Sequence, residues 1–89
     1  MGNKDIVSHM QLAILRFENG EIDVDHLFST LESHANALEA LTPDHVRIIR
    51  DIFQSLGDLD GKFSGAELRS AVVNELKALS PVLNDLAGV

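Results

Sequence analysis

The polar side chains around Gly61 have spacings that could suit a calcium ion. Aligned on that glycine, Asp58 and Asp60 occupy the third and fifth positions of a twelve-residue calcium loop, and Glu67 occupies the twelfth. Calcium prefers hard oxygen ligands, and a carboxylate that binds through both oxygens normally closes such a loop. The first ligand position falls on Leu56, however, and leucine offers no side-chain oxygen.

The same stretch has a second explanation in helix capping. Ser64 is followed three residues later by Glu67, which is the spacing of a capping box at the start of a helix. Capping explains both residues without an ion, so the main interpretation assigns no metal ligand and no cofactor. The alternative is a degenerate EF-hand-like module that binds calcium or a target helix.

The residue types needed for catalysis do not cluster along the chain. His26 and His34 are eight residues apart, and no HExxH pattern, GxSxG turn or glycine-rich phosphate loop is present. The chain has no cysteine, so it lacks thiolate ligands and a cysteine nucleophile. The histidines are expected to be scattered and solvated, as His26 and His45 are at the third positions of their helices. We therefore predict that the protein is not an enzyme and has no catalytic residues.

Carboxylates gather at the corner between the first two predicted helices. Helix capping accounts for Asp23, and Asp25 lies where a negative charge favours the positive end of the helix dipole. Glu18 and Glu21 have no such local role, which favours a surface that binds a partner. The predicted partner-binding residues are Glu18, Glu21, Asp23, Asp25, Glu32, Glu39, Asp58 and Asp60.

The net charge of the 89 residues is −7, and this charge narrows the class of partner. Phosphate backbones repel a negative surface, so we expect no nucleic-acid partner. A basic protein is attracted by such a field, although solubility alone is the other explanation of the charge.

The longest apolar run, 12–15, is too short for a signal segment or a membrane span. We therefore expect a cytoplasmic protein without a membrane partner.

The helices that must position these residues begin with the same sequence pattern at three places in the chain. A capping residue lies between two apolar residues, one just before it and one four positions after it, as in a hydrophobic staple. The three capping residues are Asp23, Thr42 and Ser64. Pro43, at the first helical position after Thr42, strengthens the second of these starts.

Apolar periodicity then gives the fold class. It predicts helices over about 4–18, from 24 through Leu38, from Pro43 to Gly57, and from Ser64 to Ser80, with a loop over 57–63. After Ser80-Pro81 a short last helix or a kinked extension follows. The prediction is an all-α single domain over residues 1–89, an antiparallel up-down bundle of four helices plus a short C-terminal helix. The first helix has apolar residues on more than one face, which leaves a homodimer open.

Two segments resemble a known family. Residues 15–33, which read LRFENGEIDVDHLFSTLES, resemble the opening of small all-helical bacterial immunity proteins of contact-dependent growth inhibition and related polymorphic toxin systems. Residues 53–60, FQSLGDLD, are similar to that group's aromatic-glycine-x-leucine-glutamate run. In this chain Leu56 stands in place of the aromatic residue and Asp60 in place of the glutamate.

The resemblance implies a helical inhibitor that binds the C-terminal domain of a toxin, often a nuclease. A nuclease needs positive surface to hold phosphates, so an acidic inhibitor matches it electrostatically. The expected function is therefore neutralisation of a bacterial toxin domain through the acidic residues named above.

Overall fold

The chain folds into four helices in a computed structural model that describes residues 2–88. They are α1 (Asn3–Glu18), α2 (Val24–Ala37), α3 (Pro43–Lys62) and α4 (Gly65–Ala87). No strand occurs within residues 2–88, and the all-helical prediction is confirmed for that range.

The three predicted helix starts are confirmed as the N-caps of α2, α3 and α4. Oδ1 of Asp23 accepts a hydrogen bond from the backbone N–H of His26 at 2.8 Å, which satisfies a donor that the helix itself cannot pair. Ser64 is an N-cap by position, but its side chain makes no capping hydrogen bond. The capping box predicted for Ser64 and Glu67 is therefore wrong.

A capping box does form one helix earlier, and histidine takes the place of glutamate in it. Oγ1 of Thr42 accepts from the N–H of His45 at 3.1 Å, and the N–H of Thr42 donates to Nδ1 of His45 at 3.3 Å. Nε2 of the same ring lies 3.7 Å from Oδ2 of Asp85 near the end of α4. His45 is thus a structural residue, and the expectation of a simply solvated side chain is wrong.

Helix α3 is longer than predicted, because the segment expected as a loop from Gly57 to Phe63 is helical as far as Lys62. The apolar stripe does not stop at Leu56: Leu59 packs against the core one turn later. Burial of that side chain offsets the helix penalty of Gly57, which is about 1 kcal/mol relative to alanine.

Helix α4 runs without a break through Pro81 to Ala87. The separate short C-terminal helix is therefore not confirmed, and the residues after Ser80 extend α4 instead. A proline inside a helix leaves the carbonyl of Lys77 without its usual partner. Both Pro81 and Lys77 are exposed, so water can satisfy that carbonyl, and buried Val82, Leu83 and Leu86 hold the extension on the core.

The helices pack in the spatial order α2, α1, α4, α3, because α1 contacts both α2 and α4, and α4 contacts α3. The core between them is aliphatic except for Met10 and Phe17. Its fully buried large side chains are Val7, Met10, Phe17, Leu27, Leu31, Leu56, Val72, Leu79, Leu83 and Leu86.

The connection from α2 to α3 is held to the start of α1. Nδ2 of Asn3 donates to the carbonyl oxygen of Glu39 at 2.7 Å, and the N–H of Glu39 donates to Oδ1 of Asn3 at 2.8 Å. Leu38, which was expected to continue α2, is extended and buried instead. Ala40 then takes a left-handed conformation with φ +58°, which turns the chain toward α3.

Within residues 2–88, every helix is too short or too polar to cross a lipid bilayer.

Candidate protein-binding surfaces

Arg69 of α4 anchors the corner between α1 and α2. Its guanidinium lies over the ring of buried Phe17 at 4.9 Å and donates a hydrogen bond to the Phe17 carbonyl oxygen. The adjacent Gly20 has φ +81°, and a Cβ at this position would lie 3.4 Å from a guanidinium nitrogen. The acidic corner is therefore fixed to the first turns of α4 by cation–π, hydrogen-bond and packing contacts.

This contact brings the two predicted acidic patches to one end of the molecule. Since α3 passes into α4 through only Phe63 and Ser64, Asp58 and Asp60 lie beside the start of α4 and hence near the corner. We call residues 16–25 and 58–69 the acidic end. It carries seven acidic and three basic side chains, net −4 of the chain's −7. Its six predicted contact residues are all exposed: Glu18, Glu21, Asp23, Asp25, Asp58 and Asp60.

The two remaining predicted contact residues lie apart from that end. Glu39 is at the opposite end, where its backbone is bonded to Asn3 and its side chain is exposed. Glu32 lies in the middle of α2, on the wall of a groove. The structure thus divides the predicted set into one cluster of six and two separate positions.

The second candidate surface is a groove that was not predicted from the sequence. It lies between α2 and α3, with a volume of about 780 Å³. Its floor and walls are mainly apolar, including Phe28, Leu31, Ala35, Val46, Ile49 and Phe53. Stripes on α2 and α3 were each visible as core patterns in the sequence, but their separation by a groove depends on how α1 and α4 space the two helices.

The polar rim of the groove carries charges of both signs. Glu32 and Asn36 line it from α2, and Arg50 and Gln54 line it from α3. The guanidinium of Arg50 is 3.9 Å from its neighbour Asp51, and both side chains are largely exposed. The rim is therefore wet and charged above an apolar floor, which is the usual anatomy of a protein-binding groove.

The calcium-loop conformation is not formed. Asp58 and Asp60 belong to α3, and residues two apart on a helix point about 160° apart around its axis. Two such carboxylates cannot converge on one ion as positions three and five of a loop do. Across residues 2–88, no group of three metal-binding side chains has a suitable arrangement.

Two histidines are closer together than the sequence suggested. The rings of His9 on α1 and His34 on α2 lie 5.6 Å apart, and Nδ1 of His34 is 2.8 Å from the carbonyl oxygen of Thr30. The expectation of scattered histidines is wrong for this pair. The pair joins α1 to α2 and has no carboxylate or third imidazole that would make it a metal site within the described residues.

Comparisons of the chain with protein-family models, with curated proteins and with solved structures found no match. The acidic end and the groove are therefore the features of the molecule that bear on its function.

Proposed function

We propose that this chain is a small immunity protein that binds a basic toxin domain through its acidic end and neutralises it as a stoichiometric complex. One observation carries the proposal: the contact of Arg69 with Phe17 ties the first corner to the first turns of α4, and Asp58 and Asp60 lie in the last turns of α3 just before that helix. One end of the molecule then carries net −4 of the chain's −7.

The physical basis is electrostatic complementarity. Charges of one sign on a rigid surface accelerate the encounter with an oppositely charged partner and suppress binding to acidic proteins. A toxin that acts on nucleic acid must keep a positive site, and covering that site blocks the substrate without any catalytic step by the inhibitor. The proposal therefore places the protein in the cytoplasm, without a nucleic-acid or membrane partner and without a cofactor.

The proposal includes the topology of the helices. We infer an antiparallel up-down bundle, supported by the short connections between helices. The contacts Asn3–Glu39 and His9–His34 also support it, because the residue number increases along α1 while that of its partner decreases toward the start of α2.

A homodimer through exposed Leu12 and Leu15 of α1 is the alternative assembly. Sedimentation at two protein concentrations distinguishes a monomer from that dimer.

The test uses the full chain and the C-terminal domain of the toxin encoded beside its gene. In a Glu21→Lys, Asp25→Lys variant, association should slow by at least about tenfold at low salt, and the difference from wild type should shrink as salt rises. Asp5→Lys, Asp44→Lys is the control, because it reverses two exposed carboxylates outside the predicted contact set, in the first turns of α1 and α3. Equal association rates for wild type and the Glu21→Lys, Asp25→Lys variant would contradict the acidic-end proposal, as would failure of the domain to bind.

The alternative, an EF-hand-like module, divides into two parts. Calcium binding has lost its structural support, since Asp58 and Asp60 are helical. Calorimetric titration of the full chain with calcium should therefore give no binding heat and no change in Tm. Binding of a helix keeps a structural basis in the groove between α2 and α3.

A further inference from the structure

We propose that the groove between α2 and α3 receives an amphipathic helix of the protein partner, with the basic residues of that helix directed toward the acidic end. The inference rests on the proposed function and names the segment of the partner that is bound. One helix of the partner would then contact both surfaces, the apolar groove with its apolar face and the acidic end with its basic residues.

The dimensions of the groove suit a short stretch of helix. Its lining runs from Phe28 to Asn36 on α2 and from Val46 to Gly57 on α3. At 1.5 Å per residue these walls are about 12 Å and 17 Å long. Three anchors at positions i, i+4 and i+7 of a bound helix span about 10 Å, so one apolar face fits between the walls.

The lining can accept apolar anchors without unfolding the core. Val46 is 46% exposed although it lies in the groove, and Phe28 and Phe53 are half-buried. Phe28 and Phe53 already pack on the core with one side and line the groove with the other. Covering them removes apolar surface from water, at about 25 cal/mol per Å².

The charges around the groove give the occupant its polarity. Gly57 lines one end and is followed directly by Asp58, while Phe28 on the other wall lies one turn beyond Asp25. Glu32 adds a carboxylate to the rim. Arg50 supplies the only cation among the lining residues and lies toward the start of α3. A helix with lysine or arginine toward the acidic end brings positive charge to these carboxylates, whereas an uncharged apolar ligand would leave the charges of the rim without partners.

The probe is a synthetic helix of about 18 residues, long enough to have helical tendency in isolation. It carries leucine at i, i+4, i+7 and i+11, lysines clustered in one half, and one tryptophan on the apolar face. Because this chain contains no tryptophan or tyrosine, the fluorescence of the peptide reports on binding directly. We expect a blue-shifted emission that saturates at one peptide per full-length chain.

Two pairs of variants locate the binding. Val46→Asp places a carboxylate in the groove and should weaken peptide binding by at least about tenfold. Leu12→Asp is the matched control, because Leu12 is also 46% exposed but lies on α1 outside the groove. Glu32→Lys should weaken binding of the lysine peptide, and Asp5→Lys, an equal charge change at the start of α1, should have much less effect.

The results that would overturn the inference are specific. No binding of the peptide by wild-type protein, or equal loss in Val46→Asp and Leu12→Asp, contradicts it. If the wild-type protein is a dimer and Val46→Asp converts it to a monomer, the occupant of the groove is a second copy of the chain. If an apolar dye binds in the groove and the peptide does not displace it, the occupant is a small molecule. If the peptide fails while reversal at Glu21 and Asp25 still slows toxin binding, only the groove inference falls.

Discussion

Asn3 and Glu39 are 36 residues apart in sequence, and the side-chain amide of the first pairs with both backbone groups of the second. Asn3 is 6% exposed and is the one buried polar side chain among the described residues. An asparagine side-chain amide has the same donor and acceptor as a peptide group, so it can pair with the N–H and the carbonyl of Glu39 as a neighbouring backbone would. It fixes where the chain leaves α2 for α3.

Replacement of Asn3 should therefore lower stability. Asn3→Ala leaves the N–H and carbonyl of Glu39 without this partner in a part-buried setting, which costs about 1–3 kcal/mol. Urea denaturation followed by circular dichroism measures the change in the free energy of unfolding. Asn74→Ala, at an exposed position of α4, is the control and should change it by less than about 0.5 kcal/mol. Equal midpoints for the two variants would contradict the prediction.

Arg69 should stabilise the corner between α1 and α2. Arg69→Met keeps most of the apolar stem but loses the cation over Phe17 and the hydrogen bond to its carbonyl, an expected loss of about 1–3 kcal/mol. Hydrogen exchange should rise most at the amides of the corner. Arg47→Met is the comparison, because Arg47 only forms an exposed pair with Asp44 at 3.5 Å, worth at most about 1 kcal/mol. Uniform faster exchange across the whole chain would argue against a local role.

Two glycines should respond in opposite directions to alanine. Gly57 is an exposed helical residue, and a Cβ there meets no described atom within 4 Å, so Gly57→Ala should stabilise by about 0.5–1 kcal/mol. Gly20 has φ +81°, so Gly20→Ala should destabilise by about 1–2 kcal/mol through backbone strain. Thermal unfolding of the two variants measures both effects. A stabilising Gly20→Ala would show that the corner does not need its left-handed residue.

The two hydroxyl caps should differ in strength. Thr42→Ala removes a side chain that accepts from His45, and a cap of this kind is worth about 1 kcal/mol. Ser64→Ala should change stability by less than about 0.5 kcal/mol, since Ser64 makes no capping hydrogen bond in the described structure. Denaturation midpoints of both variants, measured together, test the difference. Equal losses would mean that Ser64 caps α4 in solution.

Local chemistry in the sequence was enough to place the helix starts. A capping residue, its following backbone amides and a nearby apolar pair act within one turn, so Asp23 and Thr42 could be identified without any tertiary information. The end of α3 could not be placed in the same way. Gly57 and Asp58 favour a turn locally, but Leu59 packs on the core and outweighs that preference.

The candidate surfaces were predictable only in part. The carboxylates at 18–25 are contiguous, so their proximity follows from sequence alone. Their proximity to Asp58 and Asp60 depends on Arg69 reaching Phe17 from 52 residues away. The groove depends in the same way on the spacing that α1 and α4 impose, and no periodicity within α2 or α3 encodes that spacing.

The link of residues 38–42 joins α2 to α3 at one end only. At that end the two walls of the groove are joined by covalent backbone, which Asn3 and the Thr42–His45 cap hold in place. At the acidic end no chain crosses directly from one wall to the other. A rod-shaped occupant can therefore extend beyond the walls on the side of the carboxylates without meeting a connection between α2 and α3.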